Sequence, residues 1–266
     1  MSTASGKETL LAAVSPCPND TYIFAGWVLG MTGDLSKLRT RFLWEDVQTL
    51  NERASRGMGD LVKVSAVQAL KLEAGYDILP CGGALSAGPG PKLVVVKNAD
   101  NPPFRIAVPG MQTTAFALLR ACADFEFEPV PMAFDKIPGA VVDGQVDGGL
   151  LIHETALIHE ELGLEVFLDL GAWWKAGASG LPLPLGLIII KKDLPPEIKL
   201  QAELKIRQSI DMAGKNSPAV YTLIKTFAQE LDDAVIDQHI RAYVNAYSID
   251  MGEQGNRALS LLKKYV

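Results

Sequence analysis

Short apolar runs alternate with helical segments over most of this 266-residue chain, and this alternation constrains the fold more than any other feature. Turn residues separate most of the runs from the helical segments that follow them. No period of 20 to 50 residues repeats, which excludes solenoids and propellers. The strand-like runs lie at residues 10–14, 39–44, 61–64, 92–97, 105–108, 130–134, 149–152 and 187–191. The alternation predicts an α/β fold with helices packed against sheets.

After residue 191 the pattern of strand-like runs stops and only helical segments follow, which suggests that the chain is organised in two parts. We predict two lobes, a larger discontinuous one of residues 1–95 and 189–266 and a smaller inserted α/β lobe of residues 96–188. Two strand-like crossings near 92–97 and 187–191 would form the hinge, and the C-terminal helices would return to the larger lobe. These helices are predicted at residues 197–214, 218–230, 233–247 and 253–265.

Composition excludes several classes of protein. The chain is 48% hydrophobic and 21% charged, which is ordinary globular usage and not that of a disordered chain. Its net charge of −6 disfavours nucleic acid as a partner. The apolar run at residues 10–14 is too short for a secretory signal, and no stretch is long enough to span a membrane. We therefore expect a cytoplasmic protein with no membrane partner.

Four predicted strand ends are followed by polar side chains. Ligands of α/β sheets bind beyond the carboxyl ends of strands, where helix N-termini attract anions. Each polar residue is individually a good helix N-cap, so only their convergence in one cleft argues for a ligand. We expect that ligand to be a small-molecule carboxylate. The residues are Ser15 with Asn19 and Asp20, Ser65, Thr113 with Thr114, and His153.

Histidine is scarce, and a base that works near neutral pH is usually a histidine. His153 is predicted at the end of a strand in the cleft, before a helix over residues 154–162, which makes it the candidate base. His159 and His239 are interpreted as structural, and their spacing makes no metal-binding pair. The three cysteines form no CxxC motif, so neither a zinc site nor a disulfide framework is indicated, and Cys17 is interpreted as structural.

Several segments together resemble the 1,4-dihydroxy-6-naphthoate synthase family of the futalosine route to menaquinone. The matching segments follow one another in order over nearly the whole chain, so the resemblance is more specific than any one motif. They are SPCPNDTYIF (15–24), EDVQTLN (45–51), VKVS (62–65), GGALSAGPGP (82–91), VPGMQTTAF (108–116), DGGLLIHE (147–154), LDLGAWW (168–174), GLPLPLG (180–186) and YVNAYSIDMGEQG (243–255).

The resemblance implies a two-lobe, periplasmic-binding-protein-like fold of type II with a two-strand hinge. It implies a carbon–carbon lyase that converts cyclic dehypoxanthine futalosine to 1,4-dihydroxy-6-naphthoate without a metal or an organic cofactor. In this family the base corresponds to His153, and the carboxylate contacts correspond to Ser65 and to Thr113 or Thr114. Lys63, in the same segment as Ser65, and Asn19 and Asp20 of the SPCPND loop complete the expected substrate-binding set.

Two other functions remain open at this point. A sister enzyme, chorismate dehydratase, is expected to share the fold and also takes a carboxylate. A non-catalytic binding protein for a small carboxylate would need no base at His153. A homodimer is expected only by analogy with related folds.

Overall fold

Two β-sheets carry the fold, and each is formed from strands that are distant in the sequence. The computed structural model describes residues 9–33, 38–99, 101–215, 217–228 and 232–266. The first sheet has the order β2-β1-β3-β11-β4, with β5 paired to β11. Its strands are β1 (Thr9–Val14), β2 (Arg39–Trp44), β3 (Leu61–Ser65), β4 (Tyr76–Ile78), β5 (Ala84–Ser86) and β11 (Leu183–Lys191).

The second sheet has the order β10-β6-β9-β7-β8. Its strands are β6 (Lys92–Val96), β7 (Arg105–Val108), β8 (Glu128–Pro131), β9 (Gly148–Leu151) and β10 (Leu164–Asp169). In each sheet one central strand, β3 or β9, is buried along its whole length. Strands covered on both faces read as continuous apolar runs, which is why these segments were recognisable in the sequence.

The chain crosses from the first sheet to the second between β5 and β6, and it returns before β11. The predicted lobe boundaries, at 95/96 and 188/189, fall inside β6 and β11. Those strands cannot be divided, because β6 pairs with both β9 and β10 and β11 pairs with β3, β4 and β5. Both crossings therefore precede the predicted boundaries. We call each sheet with its helices a lobe.

Helices of the second half return to the first lobe, as predicted. Helix α7 packs against α1, and their backbones approach so closely that a Cβ on Gly26 would lie 2.8 Å from the Cα of Ser209. The Trp27 amide also donates to the Ser209 hydroxyl at 3.0 Å. The helices are α1 (Pro18–Val28), α2 (Val47–Ser55), α3 (Ala66–Lys71), α4 (Thr114–Cys122), α5 (Ile137–Val142), α6 (Leu170–Gly177), α7 (Pro196–Lys215), α8 (Ser217–Phe227), α9 (Asp233–Tyr243), α10 (Ala246–Ile249) and α11 (Gly252–Leu262).

Three helix predictions need correction. The helix expected after His153 is only a 3₁₀ turn, His153–Ala156, followed by turns to residue 163, since Glu154 is drawn into the interior. The helix expected over 233–247 stops at Tyr243, because Asn245 caps α10 and also donates to the Leu85 carbonyl. The helix expected over 218–230 ends at Phe227, and residues 229 and 230 lie outside the described residues.

Among the described helices, none combines the length and the apolarity that crossing a bilayer requires.

Candidate functional site

A pocket lies between the two lobes, where strands from both sheets end. Its walls come from the loop after β1, the ends of β3 and β9, the start of α4 and the middle of β11. The space inside it measures about 660 Å³, including solvent at its mouth. The lining residues are Ser15, Asn19, Asp20, Val47, Lys63, Val64, Ser65, Ala84, Pro91, Thr113, Thr114, Ala115, Ile152, His153, Leu185, Gly186 and Tyr243.

Every residue that the sequence placed in the site lies on this pocket. Parallel strands bring their carboxyl ends to one edge of a sheet, and here two such edges face each other. The structure therefore brings together residues that are up to 134 positions apart, Asn19 and His153. The full set is Asn19, Asp20, Lys63, Ser65, Thr113, Thr114 and His153. Their chemical roles stay predictions.

Ser65 is held with a hydroxyl hydrogen that no described residue accepts. The Asn51 amide nitrogen donates to the Ser65 hydroxyl oxygen at 3.0 Å, and the Ser65 backbone N–H donates to the Asn51 side-chain oxygen at 2.9 Å. A hydroxyl that already accepts one bond can still donate one. Ser65 is therefore arranged to donate into the pocket. Asn51, which is fully buried on α2, was not identified from the sequence.

The hydroxyl groups of Thr113 and Thr114 are already engaged by the protein. Thr113 donates to the Gly110 carbonyl at 2.8 Å and caps α4 by accepting from Phe116 N–H. Thr114 donates to the Leu185 carbonyl at 3.0 Å and accepts from Val67 N–H. The first backbone N–H groups of a helix lack intrahelical partners. In α4 these are the N–H groups of Thr114 and Ala115, which lie on the pocket and can bind an anion.

Lys63 and Asp20 form a buried ion pair at the floor of the pocket. The lysine nitrogen lies 2.6 Å from the Asp20 carboxylate, and the two side chains are only 6% and 3% exposed. Lys63 also donates to the Gly82 carbonyl at 3.3 Å. A Cβ on Gly186 would lie 2.9 Å from the Lys63 side chain, so glycine leaves room for it. The lysine charge is thus largely neutralised by Asp20 before any ligand binds.

His153 lies at the cleft end of β9 in an unusual backbone conformation. Its φ is +55°, which few residues other than glycine adopt, and it is partly exposed toward the pocket. The Phe134 ring packs edge-on against the imidazole with ring centroids 5.0 Å apart. Burial lowers the pKa of His153 to about 4, with His239 and Lys63 adding to the shift and Glu154 and Asp20 opposing it. The ring is therefore neutral at physiological pH and can accept a proton.

Sequence reasoning missed His239 and Glu154, which lie directly beside His153. His239, on α9, is fully buried, and its ring lies parallel to that of His153 with centroids 6.0 Å apart. Glu154 is buried, and one of its oxygens lies 3.3 Å from His239 Nδ1. A histidine on the apolar face of a helix is common in protein cores, so the sequence carried no signal for this pairing. It depends on how α9 packs against the 3₁₀ turn at His153.

Cys17 also lies near the two histidines, so we asked whether a metal could be held there. The ligand atoms of Cys17, His153 and His239 lie within 4.8 Å of one another. Burial raises the pKa of the Cys17 thiol well above its usual value, and Asp20 adds to the rise, so the thiolate needed for a metal is disfavoured. His239 also has both ring nitrogens directed at protein oxygens. The donor set therefore fits a buried hydrogen-bonded cluster and we assign no metal to it.

Comparison with known structures identifies the architecture. An X-ray structure of a protein from Archaeoglobus fulgidus matches with a TM-score of 0.91 at 34% identity, over 99% of this chain and 97% of that chain. The periplasmic aliphatic sulphonate binding protein of Escherichia coli matches with a TM-score of 0.64 at 13% identity, over 97% and 88%. The fold is thus periplasmic-binding-protein-like, with two α/β lobes flanking the pocket and C-terminal helices returning to the first lobe.

Comparison of sequences identifies the family. A relative from Thermus thermophilus named 1,4-dihydroxy-6-naphthoate synthase is 40% identical over 257 residues, which cover 96% of this chain and 93% of the relative. A family model described as menaquinone biosynthesis matches residues 10–266. This match includes every residue that lines the pocket. The chain belongs to the menaquinone biosynthesis family.

Proposed function

We propose that this protein is a 1,4-dihydroxy-6-naphthoate synthase, a carbon–carbon lyase that acts on cyclic dehypoxanthine futalosine. The observation that carries the proposal is the position of His153. Its neutral ring lines the same pocket as the free N–H groups at the start of α4 and the Ser65 hydroxyl. The name of the 40% identical relative supports the same activity.

The substrate carboxylate would bind at the start of α4. The unpaired N–H groups of Thr114 and Ala115 and the positive end of the helix dipole favour an anion there. Ser65 would donate a further hydrogen bond to the same group. The Thr113 hydroxyl would act indirectly, because it is used to cap α4 and so holds the N–H groups in place.

His153 would act as the general base. It would remove a proton from an acidic C–H or O–H of the substrate, after which the electron pair moves through the ring and a carbon–carbon bond breaks. Formation of the aromatic naphthalene supplies the driving force, so the protein has chiefly to orient the substrate and remove one proton. Contacts between the lobes, such as that of Gln48 with Gly110, would exclude water while this happens.

The test is turnover by the purified protein. The protein is incubated with cyclic dehypoxanthine futalosine in the presence of a chelator and without added cofactor, and 1,4-dihydroxy-6-naphthoate is followed by absorbance and mass. We expect product from the wild type and from the His159→Asn control, whose histidine lies outside the pocket. Binding without product would favour a sister enzyme or a binding protein, and chorismate would then be tested. The cytoplasmic location, the homodimer and the absence of nucleic-acid and membrane partners stay predictions.

A further inference from the structure

Two buried ionisable side chains beside His153 have no role in the mechanism above. His239 is fully buried, and its ring plane is tilted by only 14° from that of His153. Glu154 is 5% exposed and directly follows His153 in the chain. Burying a charge is costly unless it is paired, so the proton positions on these two groups require an explanation.

The position of one His239 proton follows from its neighbour Asn19. Asp20 accepts hydrogen bonds from Lys63 at 2.6 Å and from the Asn19 amide nitrogen at 2.9 Å. Because the Asn19 nitrogen faces Asp20, its carbonyl oxygen faces His239, 2.8 Å from Nε2. An amide oxygen only accepts hydrogen bonds, so Nε2 must carry a proton.

The second ring nitrogen of His239 faces a carboxylate. Nδ1 lies 3.3 Å from Glu154 Oε2, an ion-pair contact without hydrogen-bond geometry, and neither buried atom makes a hydrogen bond to any described residue. With Nε2 protonated, an unprotonated Nδ1 would direct a lone pair at the lone pairs of the carboxylate. A proton on one of the two groups removes this repulsion. Although burial opposes ionisation, the contacts with His239 and His153 lower the pKa of Glu154, which favours its carboxylate form.

We propose that His239, as an imidazolium paired with the Glu154 carboxylate, is the positioning residue for His153. The pair joins the second lobe to α9 of the first and so holds the 3₁₀ turn in which His153 has a positive φ. The imidazolium also offsets the Glu154 carboxylate and so adds to the effect of burial, which keeps the parallel His153 ring unprotonated. The inference rests on the proposed function only in taking His153 as the base.

Apart from Glu154 and His239, the groups around His153 carry almost no net charge. Asp20 and Lys63 neutralise each other, and burial raises the pKa of the Cys17 thiol and of the Tyr243 phenol, so both remain uncharged. Glu154 and His239 are therefore the two groups whose substitution changes the net charge around His153. Removing one without the other should change the protonation of His153. The titratable groups that face it are Glu154, His239, Asp20, Lys63, Cys17 and Tyr243.

The first test needs no substrate. The chain contains three histidines, so ¹⁵N NMR of the imidazole rings can be assigned with the His153→Asn and His159→Gln variants. We expect His239 to have both nitrogens protonated at pH 7 and His153 to remain neutral down to about pH 5. A neutral His239 at pH 7 would overturn the proposal. The protonation states are read from the wild type, and the variants serve only to assign its signals.

The second test separates positioning from a structural role. In His239→Gln the Glu154 carboxylate is left beside His153, and the pKa of His153 should rise by about one unit or more. The acid limb of kcat/KM should move to higher pH by the same amount. In the double variant Glu154→Gln/His239→Gln neither charge remains, and both values should return toward the wild type. The His159→Gln control should match the wild type throughout.

The outcomes distinguish the two proposals. An unchanged His153 pKa in folded His239→Gln, or a fall in kcat with no shift of the pH profile, would overturn the positioning role. If the wild type forms no product while the NMR results hold, the proposed function fails and the His239–Glu154 pair stands.

Discussion

Replacing Asp20 by Asn tests whether the buried ion pair with Lys63 organises the pocket floor. The substitution keeps the shape of the side chain but leaves the lysine charge buried, with the Gly82 carbonyl as its remaining partner at 3.3 Å. Breaking a buried pair in this way costs about 3–5 kcal/mol. For a chain of this size, each kcal/mol lowers Tm by about 2–4 °C. We therefore expect Tm to fall by about 6–20 °C.

The assay is thermal and urea unfolding followed by tryptophan fluorescence, with a matched control on the surface. Lys215 and Asp211 also form a pair at 2.7 Å, but their side chains are 62% and 54% exposed. Asp211→Asn should therefore cost about 0.5 kcal/mol or less. The double variant Asp20→Asn/Lys63→Met should lose less stability than Asp20→Asn alone, since no charge is stranded. Equal losses for Asp20→Asn and Asp211→Asn would refute the reasoning.

Four further predictions concern the pocket. His153→Asn should lower kcat by on the order of 10² or more while calorimetry shows substrate binding largely unchanged; wild-type turnover would remove His153 from the mechanism. Ser65→Ala should raise KM more than it lowers kcat, and an unchanged KM would move the carboxylate site elsewhere. Gly110→Ala places a Cβ 2.1 Å from the Gln48 side-chain oxygen, at a residue whose φ is +147°. The variant should lose about 1–3 kcal/mol of stability in urea unfolding and should raise KM by disturbing the contact between the lobes, and wild-type values of both would contradict this. The pKa of His153 is about 4 in the folded protein and about 6.5 in the unfolded chain, so the unfolded state binds more protons between these pH values. Stability should therefore fall as the pH drops through this window. His153→Asn should reduce that fall when urea midpoints are compared at pH 4.5 and 7.

The strands were more predictable than the boundaries between lobes. The run at residues 39–44 coincides with β2, and that at 105–108 coincides with β7. A buried strand is apolar because of its own position, so a local pattern is enough to find it. Whether residues 92–96 belong to the first or the second sheet depends on which strands pair with them. That pairing is not local, and the predicted boundary at 95/96 divided a continuous strand.

Placing polar residues at strand ends was enough to find the pocket's predicted residues except Lys63, which the family resemblance added, but not to say how they interact. The sequence predicts Ser65 as a hydrogen-bond donor, whereas only the structure shows that Asn51 holds it. The sequence proposes Thr113 or Thr114 as a ligand contact. The structure shows that both hydroxyls are occupied and that the free groups are backbone N–H groups. Such details depend on neighbours that are distant in the chain.

The sequence by itself determined the α/β class, the helical return and the polar strand-end residues that meet between the lobes. These follow from hydrophobic periodicity and from the rule that ligands bind beyond strand ends, both of which are properties of local segments. Only the tertiary structure decided that His239 lies against His153 and that Glu154 turns inward to meet it. Residues 85 positions apart come together there because α9 packs on the 3₁₀ turn after β9, and no local pattern records that contact.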